Sequence, residues 1–307
     1  CEPPGGLRDR PAVPPTGRDW REQWTFDAVT ADGSLAVSVG VGRRVDPRTT
    51  ARHGWYWLVV AGSGRTCVSV VDPDLALTSG PASLEYRSPG LWADHNCTEP
   101  GGHWSVAAEA FGVALTDPWD IWGRAFGDHT AVGADLEWDP EGPPVPAPGA
   151  QGRTDVADVA DSVDAPGAWS VGCAVHGELL VGDERHELDC RGVRGHQWGA
   201  GALWPAGWLA TSWSTPTGDW VYHSDPQGAP EMPGPPHDGV ATANDSRPWT
   251  LNTGDGATVS VQVISWAPVL DGARADGKLV MAVARFTGSD ANGMDCGGLG
   301  WLRYRQR

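Results

Sequence analysis

Residues 55–61 read WYWLVVA, a short apolar run with the aromatic and β-branched content of a strand. Residues two apart in a strand share a face, so Trp55 and Trp57 are expected to line one side of a sheet together. Runs of the same character recur at Trp24–Val29, Leu35–Val41, Thr66–Val71, Trp104–Leu115, Ala131–Trp138, Trp169–Leu180, Trp208–Trp213, Thr258–Trp266 and Lys278–Phe286. Clusters of Gly, Pro, Asp and Asn separate them. This spacing predicts antiparallel sheet with turns, not alternating strands and helices. Helical periodicity is scarce, and 42 Gly with 26 Pro would break most long helices. The expected fold class is mainly β.

Between Pro140 and Pro166 the chain turns polar and Pro-rich, EGPPVPAPGAQGRTDVADVADSVDAP, which reads as a linker. The expected organisation is a flexible segment over 1–18, a β domain over 19–145, a linker over 146–166 and a second β domain over 167–307. A second Pro-rich stretch, 226–236, reads as a long loop, either covering a cavity mouth or passive.

The aromatic composition is biased to 18 Trp against four Phe and four Tyr. Trp119 and Trp122 sit in DPWDIWG, and Trp198, Trp204, Trp208, Trp213 and Trp220 crowd one later stretch. Indole offers a large apolar face, strong cation–π attraction and one N–H donor. That suits a pocket for a bulky apolar ligand that passes through positive charge; ordinary core packing is the competing account. Trp55, Trp57, Trp92, Trp104, Trp119, Trp122, Trp198 and Trp213 are the candidate wall residues.

A formal net charge of −17 argues against a nucleic-acid surface or attraction to anionic lipid. The longest apolar runs are far below the ~20 residues of a membrane span. Six cysteines, widely spaced at 1, 67, 97, 173, 190 and 296, form neither a disulfide framework nor a CxxC pattern, and read as reduced residues of a cytoplasmic protein. A start at Cys1 rather than Met reads as a trimmed or processed terminus: a lipid-anchored cysteine on a CEPPGG tether or, preferred, a boundary without functional meaning.

No G-x-S-x-G elbow, Walker loop, HExxH or complete GxGxxG is present; GVGRRV at 40–45 lacks the third glycine. His95, His103, His176, His186 and His196 show no zinc-ligand spacing, so neither metal nor cofactor is expected. Two segments are richer in chemistry. GLWADHNCTEPGGHWSVAAEAFGVALTDPWDIWG sets Asp94, His95 and Glu109 among indoles, where a desolvated acid gains proton affinity. With Trp104–Leu115 as a strand, Val106, Ala108 and Ala110 face one way, and Glu109 is either an inward acid or a solvated one. HGELLVGDERHELDCRGVRGHQWGAG carries Arg194, His196 and Trp198 in a glycine-punctuated run. His196 is the best acid/base candidate there, and Arg194 suits a carboxylate or enolate; a structural Arg194–Asp189 corner is the alternative.

Trp24 and Phe26 as W-x-F, the VHGELLVGDERHELDCRG hairpin and the closing RGHQWGAG resemble the lipocalin-like family that includes carotenoid 1,2-hydratase (hydroxyneurosporene synthase). Relatives in that family include cofactor-free pericyclases and terpenoid cyclases, and the segment at 90–118 is similar to actinobacterial members. The resemblance implies two lipocalin-like antiparallel β-barrel halves enclosing an apolar pocket. Gly192, His196, Trp198 and Gly199 match a G-x-x-x-H-x-W-G corner. Gly195 and Gln197 stand where an acid is often expected beside the histidine, a departure from a plain hydratase.

The function expected is a cofactor-independent cyclase, isomerase or hydratase/dehydratase acting on a hydrophobic terpenoid or polyketide-like small molecule. His196, Glu109, Asp94, His95 and Arg194 are the candidate catalytic residues. A non-catalytic carrier of such a molecule needs the same pocket without a proton handler, and a structural β protein needs neither. Oligomeric state is not legible.

Overall fold

The computed structural model describes residues 9, 20–45, 51–77, 84–146, 167–200, 203, 209–215, 218, 220–225, 248–252, 258–272, 278–289 and 293–305. The rest of the expected N-terminal segment and most of the expected linker lie outside these residues, as do Trp204, Trp208 and the 226–236 loop.

A first, 11-stranded sheet holds β1 (Trp20–Val29), β2 (Ala36–Val45), β3 (Arg52–Ala61), β4 (Cys67–Ala76), β5 (Glu85–Ser88) and β6 (Leu91–Cys97). It continues with β7 (Trp104–Leu115), β8 (Gly127–Pro140), β9 (Val145–Pro146), β10 (Gly167–Val181) and β11 (Glu184–Ala200). A second, seven-stranded sheet holds β12 (Leu209–Ser214), β13 (Trp220–Asp225), β14 (Trp249–Asn252), β15 (Thr258–Trp266), β16 (Val269–Leu270), β17 (Lys278–Ser289) and β18 (Gly298–Tyr304). Among the described residues one 3-10 turn, Pro118–Trp122, interrupts the β structure, capped by the Asp117 carboxylate accepting the Trp119 N–H at 3.0 Å. No helix among them is long and apolar enough to cross a membrane. The mainly-β reading holds, and every expected strand coincides with a strand wherever its residues are described.

The first sheet runs β4-β3-β2-β1-β11-β10-β8-β7, and the pairing of β4 with β7 closes it into a ring. β6 and β5 continue outward from β7. Closure corrects the expected division of the chain. β10 and β11 lie beyond the Pro-rich divider, yet β11 pairs with β1 from Trp20↔Ala200 to Val29↔Arg191. Without the β10–β11 hairpin, β1 and β8 would both be open edges. The sheets therefore part between Ala200 and Leu209, not within 146–166. The hairpin turns at Gly182–Asp183, with Gly182 at φ +61° as a two-residue turn demands.

Alternation along each strand sorts the apolar residues into three layers. The ring interior is filled from β1, β2, β3, β7, β8, β10 and β11, including Trp20, Trp24, Phe26, Tyr56, Trp104, Trp138, Trp169 and Trp198. The opposite face of β1–β3 presents Val29, Ala36, Trp55, Trp57 and Val59 to Ala210, Met281, Val283 and Trp301 of the second sheet. Trp213, Val261, Phe286 and Leu302 form the layer beyond. The sheets are also pinned by hydrogen bonds: Trp301 Nε1 donates to the Ala28 carbonyl at 3.1 Å, and Arg303 pairs with Asp27.

Trp55 and Trp57 share a face as read, and that face is the outside of the ring. Their rings occupy the space above β2, where Gly42 stands opposite Trp55 and Gly40 opposite Trp57. A Cβ on Gly40 would lie 2.0 Å from Trp57, and one on Gly42 would lie 1.9 Å from Trp55. Gly40→Ala is therefore expected to cost roughly 1–3 kcal/mol in urea unfolding, as overpacking does. Adding Trp57→Leu to Gly40→Ala should recover part of that loss. An unchanged midpoint for Gly40→Ala would show that the indole is not seated on this glycine.

Candidate functional site

The sequence WREQWTF (20–26) at the start of β1 points Trp20, Glu22, Trp24 and Phe26 into the ring, so one carboxylate stands in a row of aromatics. β11 brings Arg194, His196 and Trp198 to the same interior, because His196 lies in register with Trp24 on β1 and Trp169 on β10. Arg43 reaches the group from β2.

His196 and Glu22 have no exposed side-chain surface, and His196 Nε2 lies 3.1 Å from Glu22 Oε1. Arg43 Nε donates to Glu22 Oε2 at 2.8 Å, and its Nη2 donates to the same oxygen. Burial pushes the Glu22 carboxyl upward, but the hydrogen bond from His196 and the Arg43 charge outweigh it and hold Glu22 below its ordinary value. An ionised carboxylate only accepts hydrogen bonds, so His196 carries a proton on Nε2. The imidazole is caged by indoles: stacked on Trp24 at 4.5 Å and 11°, tilted against Trp198 at 4.8 Å, and edge-on to Trp169 at 5.7 Å.

A second buried pair adjoins this cage. Arg194 Nη1 donates to Asp9 Oδ1, and both side chains are fully buried. Its guanidinium lies 4.9 Å from the Trp169 ring centre and 5.5 Å from that of Trp104. Asp9 Oδ2 accepts from the Gly101 N–H at 2.7 Å and from Trp104 Nε1 at 3.1 Å, and the Asp9 carbonyl accepts from Trp24 Nε1 at 3.0 Å.

The third group is neutral. His95 on β6 stacks between Phe26 and Tyr56, 5.9 Å from each. Both its ring nitrogens, the Tyr56 hydroxyl and Trp138 Nε1 are buried without a hydrogen-bond partner among the described residues. Such groups cost roughly 1–3 kcal/mol each when unmet. Burial alone lowers His95 to about 3, which makes it a neutral donor and acceptor rather than a proton store.

The structure thus brings together His196, Arg194, His95, Trp104 and Trp198 of the sequence candidates, and separates the rest. Glu109 is exposed on the outward face of β7, across from half-buried Trp92, and Asp94 faces outward on β6 opposite Glu85. Strand parity puts them on the other side of the wall from His95 and Ala108. The interior acid is Glu22. Trp55 and Trp57 belong to the layer between the sheets; Trp213 and Trp119 pack with the far layer, and Trp122 donates to the Val269 carbonyl at 3.0 Å. Arg194 meets the carboxylate of Asp9, and not Asp189 as the alternative reading had it. Sequence reading missed Glu22, Arg43, Asp9, Trp20, Trp138 and Trp169. The alternation of WREQWTF carried the signal for Glu22.

Among the described residues no three His, Cys, Asp or Glu converge as a metal site. Burial pushes the thiols of Cys67 and Cys190 up to about 12, away from nucleophilic chemistry.

Residues 8–219 match the family model described as Domain of unknown function (DUF7064). No curated protein matches the sequence. Kievitone hydratase from Nectria haematococca is similar in structure, with a TM-score of 0.54 at 10% identity over 99% of this chain and 94% of that one. The structure of CghA aligns over 99% of this chain and 97% of that one, at 16% identity and a TM-score of 0.46. The first likeness shows the lipocalin-like fold.

His95 gives a pH test. Its folded value lies below the unfolded value near 6.5, so the stability tied to its neutral form is full above pH ~6.5 and is lost as pH falls toward about 3. Between pH 6.5 and 5 this amounts to about 2 kcal/mol. Denaturant unfolding at the two pH values should show that loss in the parent and a smaller one in His95→Phe. Equal losses would mean that His95 is solvated.

Proposed function

Because the chain belongs to the family described as Domain of unknown function (DUF7064), which names no activity, we propose its function from the site: acid/base catalysis on a hydrophobic small molecule. The reaction class is hydration or dehydration, isomerisation or cyclisation, with His196 as the proton handler and Glu22 as its partner. The observation that carries this is the Glu22–His196 pair sealed inside three indoles.

A histidine oriented by a carboxylate can give and retrieve a proton within one turnover. In a hydration, the imidazolium proton goes to one alkene carbon, the water oxygen bonds to the other, and the surplus proton of that water returns to the imidazole. The faces of Trp24, Trp169 and Trp198 stabilise positive charge that develops between these steps. Glu22 holds the ring in one tautomer and stabilises it when doubly protonated. A hydrophobic substrate of terpenoid or polyketide type suits such walls, and His95 with Tyr56 suits its oxygen function. Kievitone hydratase, which shares the fold, is a hydratase by name, and this supports the hydration arm.

The test is a panel of polyenes and prenylated phenols incubated with the protein in oxygen-18 water, read by mass spectrometry for gain or loss of water or for an isomeric product. Glu22→Gln and His196→Phe should each lower turnover by about a hundredfold or more while circular dichroism stays that of the parent. Parent-level rates in both variants overturn the assignment. Tight binding of a panel member with no turnover in the parent makes the protein a carrier.

A further inference from the structure

We propose that Arg194 and the donors around it form a recognition site for the carboxylate of an acid-bearing hydrophobic ligand, and that Asp9 is the site's internal occupant. The inference rests on the reading that a hydrophobic molecule enters the ring, and it names the chemical class of that molecule.

The donors come from four places on the ring. Arg194 belongs to β11, Trp104 to β7 and Cys97 to β6, and Gly101 lies in the turn between β6 and β7. Nη1 of Arg194, the Gly101 N–H, Trp104 Nε1 and Cys97 Sγ, the last at 3.7 Å, all converge on one carboxylate. The ring supplies no acid of its own to them. Among the described residues Asp9 is the one carboxylate that Arg194 meets, and it comes from 185 positions away in sequence. The wall contributes donors, and a residue outside every strand contributes the acceptors.

Arg194 also has unused capacity. Its Nε is buried with no oxygen or nitrogen partner among the described residues, its Nη2 makes a long contact, 3.4 Å, with the Gly102 carbonyl, and a further neighbour is the weakly accepting Cys173 thiol. A guanidinium fork matches both oxygens of a carboxylate at once, whereas Asp9 takes one nitrogen. Removing Asp9 without replacement would leave a buried cation unpaired, at a cost of several kcal/mol. The exchange must therefore be anion for anion, which gives the site its selectivity: an acid restores the pair, and an ester or alcohol does not. The position also suits catalysis. Trp169 touches both Arg194 and the His196 ring, so an acid held at Arg194 starts its apolar portion near the Glu22–His196 pair.

The experiment is a fluorescence titration of the full chain with parinaric acid and with its methyl ester. Asp9→Ala should bind the acid about tenfold or more tightly than the parent does, the scale of one charge-assisted hydrogen bond, and leave the ester unchanged. Arg194→Met on top of Asp9→Ala should erase the acid's advantage. Should Asp9→Ala not fold, Asp9→Asn carries the same expectation, since it keeps the size and one acceptor oxygen. An equal gain for acid and ester would mean that Asp9 only filled space, and an advantage that survives Arg194→Met would place the anion elsewhere; either result, or no binding of the acid to the folded variant, overturns the proposal. Turnover plays no part in this titration. A failure here leaves the Glu22–His196 reading standing, and normal acid binding by an inactive parent would sink that reading alone.

Discussion

An ion buried among indoles is stable only when its counter-ion is buried with it, and that requirement governs this molecule. Glu22 meets Arg43 and His196 inside the ring, Asp9 meets Arg194 beside them, and Asp27 meets Arg303 between the sheets. Breaking such a pair by removing one partner costs about 3–5 kcal/mol, comparable to a large share of a domain's stability. Two of the acids sit on β1 with opposite parity, Glu22 inward and Asp27 outward. A one-residue slip of β1 would exchange them, strand Glu22 between the sheets and leave Asp27 facing Trp24's side of the wall. The register of β1 against β2 and β11 is thereby fixed from both faces at once, and the His196 cage inherits its alignment from that register.

The same strands explain the composition. An indole is too large for a flat sheet face unless its neighbour across the ladder yields space, and glycine yields the most. Gly40 and Gly42 seat Trp57 and Trp55 outside the ring, and Gly192 seats Trp138 inside it, where a Cβ would lie 2.4 Å from the ring. At these three places a Trp and a Gly serve one packing requirement together. Glycine loosens a strand by roughly 0.5–1 kcal/mol relative to alanine, and burial of an indole against it more than offsets this.

The strands were legible because alternation and turn residues are local signals, and WSVAAEAFGVAL gave the bounds of β7 without error. β11 was harder. Its glycines at 192, 195 and 199 read as a corner, whereas they lie within a long strand, where Gly192 and Gly195 make room for Trp138 and Thr25 on other strands, a cause that is invisible until pairing is known. The Pro-rich stretch after Pro140 drew the expected boundary for a sound local reason, but closure of the ring is a non-local demand and it carried β10 and β11 across. The site divided along the same line. Arg194, His196 and Trp198 were visible as a polar cluster in a marked sequence context. Glu22 was recoverable from its place in an aromatic row. Asp9 was not, since its meaning depends wholly on an arginine 185 residues away.

Two histidines in one ring show how placement assigns roles. His95 is packed between Phe26 and Tyr56 with no acid partner among the described residues, and burial lowers it to about 3, so it stays neutral. His196 is as deeply buried but faces a carboxylate whose own value is held down against burial by the His196 hydrogen bond and the Arg43 charge. The same side chain is thus a neutral group packed among aromatics in one place and the hydrogen-bond partner of a carboxylate in the other. His196 with Glu22 and His95 with Tyr56 thus form two separate polar places in the ring, and Phe26 lies between them, opposite Arg194 in the ladder. The three polar places, at His196, Arg194 and His95, are set among indole and phenyl rings, so the interior alternates hydrogen-bonding groups with apolar surface.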